Sequence, residues 1–127
     1  YNLEKFTQQP DFREVYDFLK ENIKENDIII DAYPAVNKAY LGKVDYATRF
    51  SLSGRKIDIA NKTHDVYTGI PYIELDDIKN IKSCLLIVDK LAFFRIESSL
   101  RDFIKSELEP IKYSKKASSD VMLYKCP

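Results

Sequence analysis

Several residues in this chain have the types needed for acid–base chemistry. His64 stands beside Asp65, the pairing in which a carboxylate orients a histidine general base. Side chains of adjacent residues rarely point together, and no Ser or Cys nucleophile is identifiable nearby, so the pair reads as part of a solvated loop. Asp31 and the doublet Asp76-Asp77 are the other candidates for a general acid and base. Asp76 is better explained as a helix N-cap. Paired carboxylates for glycoside cleavage also need a spatial separation that a sequence does not carry. No catalytic residue is therefore assigned. Cys84, Cys126 and the single His64 lack C-x-x-C or H-x-x-x-H spacing, which argues against a zinc site.

A binding role has a better-defined candidate. Tyr33, Asn37, Tyr40, Asp45, Tyr46 and Arg49 interleave aromatic and polar groups. Part of this segment lies just past the first predicted strand, where open α/β sheets place their crevice. Tyrosine offers a flat apolar face with a polar tip, suited to a sugar ring or a protein partner. The plainer reading, preferred here, is that half of these tyrosines cap the edge of the core.

The turn after that strand reads Asp31-Ala32-Tyr33-Pro34-Ala35. It has no glycine to let the backbone approach a pyrophosphate, and no G-x-x-x-x-G-K occurs, so no nucleotide cofactor is expected. Lys plus Arg and Asp plus Glu number 20 each, so no basic excess exists to neutralise nucleic-acid phosphates. The 127 residues are one domain's worth, and 45% of them are hydrophobic, enough for one core. The longest apolar run, Cys84 to Val88, suits a buried strand and is far short of the ~20 residues of a membrane span. The chain starts at Tyr1 without Met, so we expect a piece of a longer protein.

The elements that must position these residues follow from periodicity. Residues 1–9 read as a polar tether and 10–127 as a single α/β domain. Asp11 and Glu14 have capping-box logic, and Phe12, Val15, Tyr16, Leu19 and Ile23 form one helical stripe. Ile28 to Ala32 is a strand covered on both faces. A short helix follows over residues 35–41, ended by Gly42. Asp45 to Leu52 alternates as a second strand, broken by Ser53-Gly54-Arg55. Ile57 and Ile59 alternate, Val66-Tyr67 reads as a short strand, and Asp76 caps a helix through Ile81. Cys84 to Val88 is the central strand, and Leu91 to Ile96 a loop with apolar contacts. Ser99 with Asp102 caps a helix carrying Leu100, Phe103, Ile104 and Leu108, which Pro110 stops. Ile111 to Tyr113 and Val121 to Tyr124 close as a hairpin. Alternating helices and buried strands predict a three-layer, Rossmann-like α/β sandwich, its sheet mainly parallel with a C-terminal antiparallel hairpin.

A resemblance enters at Asp11-Phe12-Arg13-Glu14, Phe18-Leu19-Lys20-Glu21-Asn22 and Asp27-Ile28-Ile29-Ile30, then at Ala39-Tyr40-Leu41-Gly42 with Asp45-Tyr46. With the closing Val121-Met122-Leu123-Tyr124-Lys125, these resemble the C-terminal soluble domain of multi-spanning glycosyltransferases. That group comprises the dolichyl-phosphate-mannose protein mannosyltransferases and the aminoarabinose transferases. The resemblance spans most of the chain, with residues 10–50 carrying most of it. It implies a non-catalytic ectodomain at the extracytoplasmic membrane face, beside the transmembrane part of its parent and helping to receive a glycan or protein acceptor. The family's catalytic acidic loop has no counterpart here. The alternative is a free-standing small-molecule-binding or enzymatic domain, with its ligand at the carboxyl edge of the sheet.

Two features bear on compartment. Asn61-Lys62-Thr63 is an N-glycosylation triplet, meaningful if the domain faces outside. Cys84 starts the central strand and Cys126 follows the last. If those strands are antiparallel neighbours the sulfurs approach bonding distance. Because a central-strand cysteine is often a small buried hydrophobe, two free thiols are expected.

Overall fold

The computed structural model describes residues 12–49, 63–114 and 120–127. Residues 1–9, Asp11, the part of the expected second strand from Phe50 onward, Ile57, Ile59 and the triplet residue Asn61 all lie outside these residues. The described chain is α/β, with one open, five-stranded mixed sheet in the order β2-β1-β3-β5-β4. Its elements are α1 (Phe12–Asn22), β1 (Ile28–Asp31), α2 (Pro34–Tyr40), β2 (Tyr46–Ala47), α3 (Leu75–Lys79), β3 (Cys84–Asp89), α4 (Lys90–Arg95), α5 (Ser98–Glu107), β4 (Glu109–Ile111) and β5 (Val121–Lys125). β1 pairs in parallel with β2 and β3, and β5 runs antiparallel to both β3 and β4.

Alternation along the strands divides the core in two. Ile30, Leu86 and Val88 join Ile78 of α3, Ala92 and Phe93 of α4, and Leu100 and Ile104 of α5. Ile29 and Ile87, with Val121 and Leu123 of β5, join Val15, Tyr16 and Leu19 of α1. Successive strand side chains point to opposite faces, so the apolar runs of β1 and β3 feed both clusters. Leu19 and Leu86 are fully buried, one in each cluster.

α2 ends as its sequence suggests. Gly42 adopts φ +83°, and its N–H donates to the Asn37 carbonyl at 2.9 Å.

Five local expectations are corrected. Val66-Tyr67 forms a turn, because the Asp65 carboxylate accepts both the Thr68 N–H (2.9 Å) and the Thr68 hydroxyl (2.7 Å), and Gly69 supplies φ +75°. Asp76 lies inside the first turn of α3, where Glu74 is the N-cap. Residues 90–95 form a helix rather than a loop, since Asp89 caps it by accepting the Ala92 N–H. Glu97, not Ser99, precedes α5, although Leu100, Ile104 and Leu108 are buried as their spacing predicts. β4 begins at Glu109 and takes Pro110 into the outermost strand, where proline is tolerated.

The largest correction is covalent. Register pairs Leu85 with Lys125, which sets Cys84 opposite Cys126 one step further on. The Cys126 N–H donates to the Cys84 carbonyl at 3.0 Å, and the Cα atoms lie 5.0 Å apart. The two cysteines form a disulfide instead of two free thiols, and both are buried.

Candidate functional site

The strand order makes one place on this sheet special. The α2 connection leads from β1 to β2 on one side, and the chain then crosses back to place β3 on the other side of β1. The gap between β1 and β3 is thus a topological switch point, where open α/β sheets bind ligands outside their carboxyl ends. Both strands end in aspartate there, Asp31 and Asp89.

Asp31 is fully buried and accepts three hydrogen bonds. The Tyr16 hydroxyl donates to Oδ2 at 2.7 Å, the Asn37 amide donates to the same oxygen at 3.0 Å, and the Tyr33 N–H donates to Oδ1 at 2.9 Å. α1, β1 and α2 therefore meet on one carboxyl group. Burial raises its pKa to about 7; the three donors pull it down, and nearby Asp89 adds to the rise. Burial and the Asp31 charge push the Tyr16 hydroxyl up as well, so it stays a donor. Asn37 is fully buried, and its Oδ1 has no hydrogen-bond partner.

Asp89 serves two elements. Its Oδ1 caps α4 and also accepts the Tyr33 hydroxyl at 3.1 Å. Burial first, then the Asp89 charge, raises Tyr33 to about 12, and Arg95 works the other way. Aromatic rings wrap this polar cluster. Phe12 meets Tyr33 edge-on at 5.4 Å and stacks on Tyr16 at 6.0 Å, and Tyr40 also stacks on Tyr16 at 6.3 Å.

The six residues expected to contact a ligand separate into groups. Tyr33 and Asn37 converge on Asp31, and Tyr40, half exposed, joins them through its ring contact with Tyr16. Asp45 clamps the strand pair, its Oδ2 accepting the Ile29 N–H at 2.8 Å, and forms a 3.9 Å ion pair with Lys43. Tyr46 packs against the α3–α5 core cluster. Arg49 pairs with Glu74 at 3.1 Å and lies over the Tyr72 ring, 5.3 Å from its centroid.

No family model, curated protein or solved structure matches the chain.

The chemistry of the cluster is that of a support with a polar rim. Every donor around Asp31 points inward at a fully buried carboxyl group, which holds elements together rather than meeting a substrate. His64 and Asp65 do not act as a pair, since His64 meets the Thr63 hydroxyl and Asp65 holds Thr68. Among the described residues no group of three His, Cys, Asp or Glu could hold a metal ion.

Sequence reasoning named Asp31 only as a loose acid–base candidate and placed Tyr16 in a core stripe. It missed Asp89. A lone aspartate closing an apolar run, followed by Ala-Tyr-Pro or by an amphipathic hexamer, was the available signal.

Proposed function

We propose that this chain is the extracytoplasmic soluble domain of a membrane glycosyltransferase that uses a lipid-linked sugar donor. On this reading the domain performs no bond chemistry. It stands beside the membrane-embedded active site and helps to receive a glycan or protein acceptor at the carboxyl edge of its sheet. The observation that carries the reading is the Cys84–Cys126 disulfide, because such bonds persist in oxidising compartments outside the cytosol. The resemblance at residues 10–50 supports it independently. Two core clusters built on opposite faces of one sheet support the finer architecture, a three-layer Rossmann-like sandwich. Among the described residues no helix is long and apolar enough to cross a membrane.

The test is the reading frame upstream of Tyr1, together with the fractionation of the native protein. Membrane spans before Tyr1 and recovery in the membrane fraction are expected. An initiator Met directly before Tyr1, with the protein recovered free of membranes, would sink the proposal.

A second reading has one observation in its favour. Asp31 and Asp89 close adjacent strands at the switch point and Tyr33 bridges them, its N–H on Asp31 and its part-buried hydroxyl on Asp89, a polar rim that fits a small-molecule binder. A thermal-shift screen against sugars and sugar phosphates separates the two. Stabilisation that Tyr33→Phe abolishes would favour this second reading.

A further inference from the structure

Among the described residues, α4 carries a face with large apolar side chains left exposed. Ala92, Phe93 and Ile96 face the core. Lys90, Leu91, Phe94 and Arg95 form the opposite face, at the spacing that makes helical residues neighbours. Leu91 is 53% exposed and Phe94 72% exposed, two large apolar side chains side by side in solvent. The helix has no acidic residue, and Arg101 adds a third cation by donating to the Phe94 carbonyl at 3.0 Å. Acidic residues stand at the ends of the helix: the Asp120 carbonyl accepts the Lys90 N–H, and Glu97 precedes α5. An apolar pair ringed by cations matches the boundary between headgroups and acyl chains in an anionic bilayer.

The place where the chain enters the fold points the same way. Phe12, the first residue of α1, packs on Tyr33, and the Tyr33 hydroxyl bonds Asp89, the residue that caps α4. The start of α1 and the start of α4 therefore share the carboxyl edge of the sheet. Eleven residues precede Phe12, a length that reaches at most ~40 Å when extended. On the proposed function, an anchor joined through this segment would hold this edge on the side of the fold that α4 shares.

We infer that the exposed face of α4 rests on an anionic lipid bilayer, with Leu91 and Phe94 entering the interface and Lys90, Arg95 and Arg101 meeting lipid phosphates. This deepens the proposed function, on which it rests, by giving the domain an orientation. Two apolar side chains make a weak contact alone. A tether supplies an effective concentration in the millimolar range, which lets a weak contact set the pose.

The chain contains no tryptophan, so Phe94→Trp introduces a single reporter at an exposed site. Tyr67→Trp, at a 90% exposed site on a different loop, is the control. Each is titrated with vesicles of equal phosphatidylglycerol and phosphatidylcholine, with phosphatidylcholine vesicles, and with brominated lipid in either. The expected result is a blue shift and bromine quenching for Phe94→Trp on anionic vesicles, weakened by 0.5 M salt, and neither for Tyr67→Trp. Adding Leu91→Ala should weaken vesicle binding by about tenfold. Absence of a shift in Phe94→Trp, or an equal shift in both chains, would overturn the inference. So would a shift produced by an acidic peptide and not by lipid. The upstream reading frame tests the parent assignment separately, so the two can fail independently.

Discussion

The two ends of the central strand are held by different kinds of bond. At its amino end, Cys84 is joined covalently to Cys126 in buried surroundings. At its carboxyl end, Asp89 ties the strand to α4 and Tyr33 by hydrogen bonds, beside the buried carboxyl of Asp31. The first attachment ignores pH and yields to reductant. The second ignores reductant and lies beside Asp31, whose carboxyl gives up its proton near pH 7. One strand thus has a fixed end and an adjustable end, and the adjustable end coincides with the switch point.

The largest expected effect breaks the fixed end. The disulfide spans 42 residues, and closing a loop of that length stabilises by about 4 kcal/mol in the chain-entropy account. Replacing both cysteines by alanine should lower the denaturant-derived stability by that order. The unfolded, unreduced wild-type protein should titrate no thiols; two reactive thiols would remove the fixed end altogether.

Next come the cores on which both ends rely. Leu86→Ala and Leu19→Ala each remove a fully buried side chain, one per cluster, and should cost about 2–5 kcal/mol. Unchanged urea midpoints would show that the clusters do not carry the fold.

The adjustable end responds to acid in a defined direction. Asp31 holds its proton to about pH 7 in the folded protein, against an ordinary value of 3.8. Between those values the native state binds the extra proton. Stability from this group is complete below about pH 4 and is lost as pH rises through 7, by on the order of 4 kcal/mol. Urea midpoints for wild type and Asp31→Asn, compared at pH 4, 5.5 and 7.5, isolate it. An identical pH slope in the variant would locate the dependence elsewhere.

The smallest effect is the cap. Asp89→Ala should cost about 1 kcal/mol and leave the disulfide intact, read as a lower melting temperature with unchanged thiol titration.

Periodic burial was legible in the sequence because it repeats. Val15, Tyr16 and Leu19 recur at helical spacing, and the runs of β1 and β3 are too apolar to face water. What failed were features decided by one residue acting across the chain. Whether Cys84 meets Cys126 depends on β5 lying beside β3, and strand order is not written in local pattern. Asp89 caps a helix whose six residues are too few to show a period. Val66 and Tyr67 have strand propensity, yet Asp65 and Gly69 overrule it through one side-chain turn. The candidate site was half visible: Tyr33 and Asn37 converge as the crevice argument implies. Asp45 and Arg49 are instead drawn into clamps with Ile29 and Glu74, partners far away in sequence.

Pro110 carries a consequence beyond ending a helix. β4 is the outermost strand, and it spans only Glu109–Ile111 with a proline at its centre, a residue with no N–H to give an incoming chain. The opposite margin is also occupied, since the Ala47 N–H donates to the Pro71 carbonyl and the Ile73 N–H donates to the Ala47 carbonyl. A sheet whose two rims are blunted in these ways is a poor template for adding strands from other molecules. Crowded side by side, copies of this domain should resist edge-to-edge polymerisation, and a Pro110→Val chain should be the first to form cross-β aggregates.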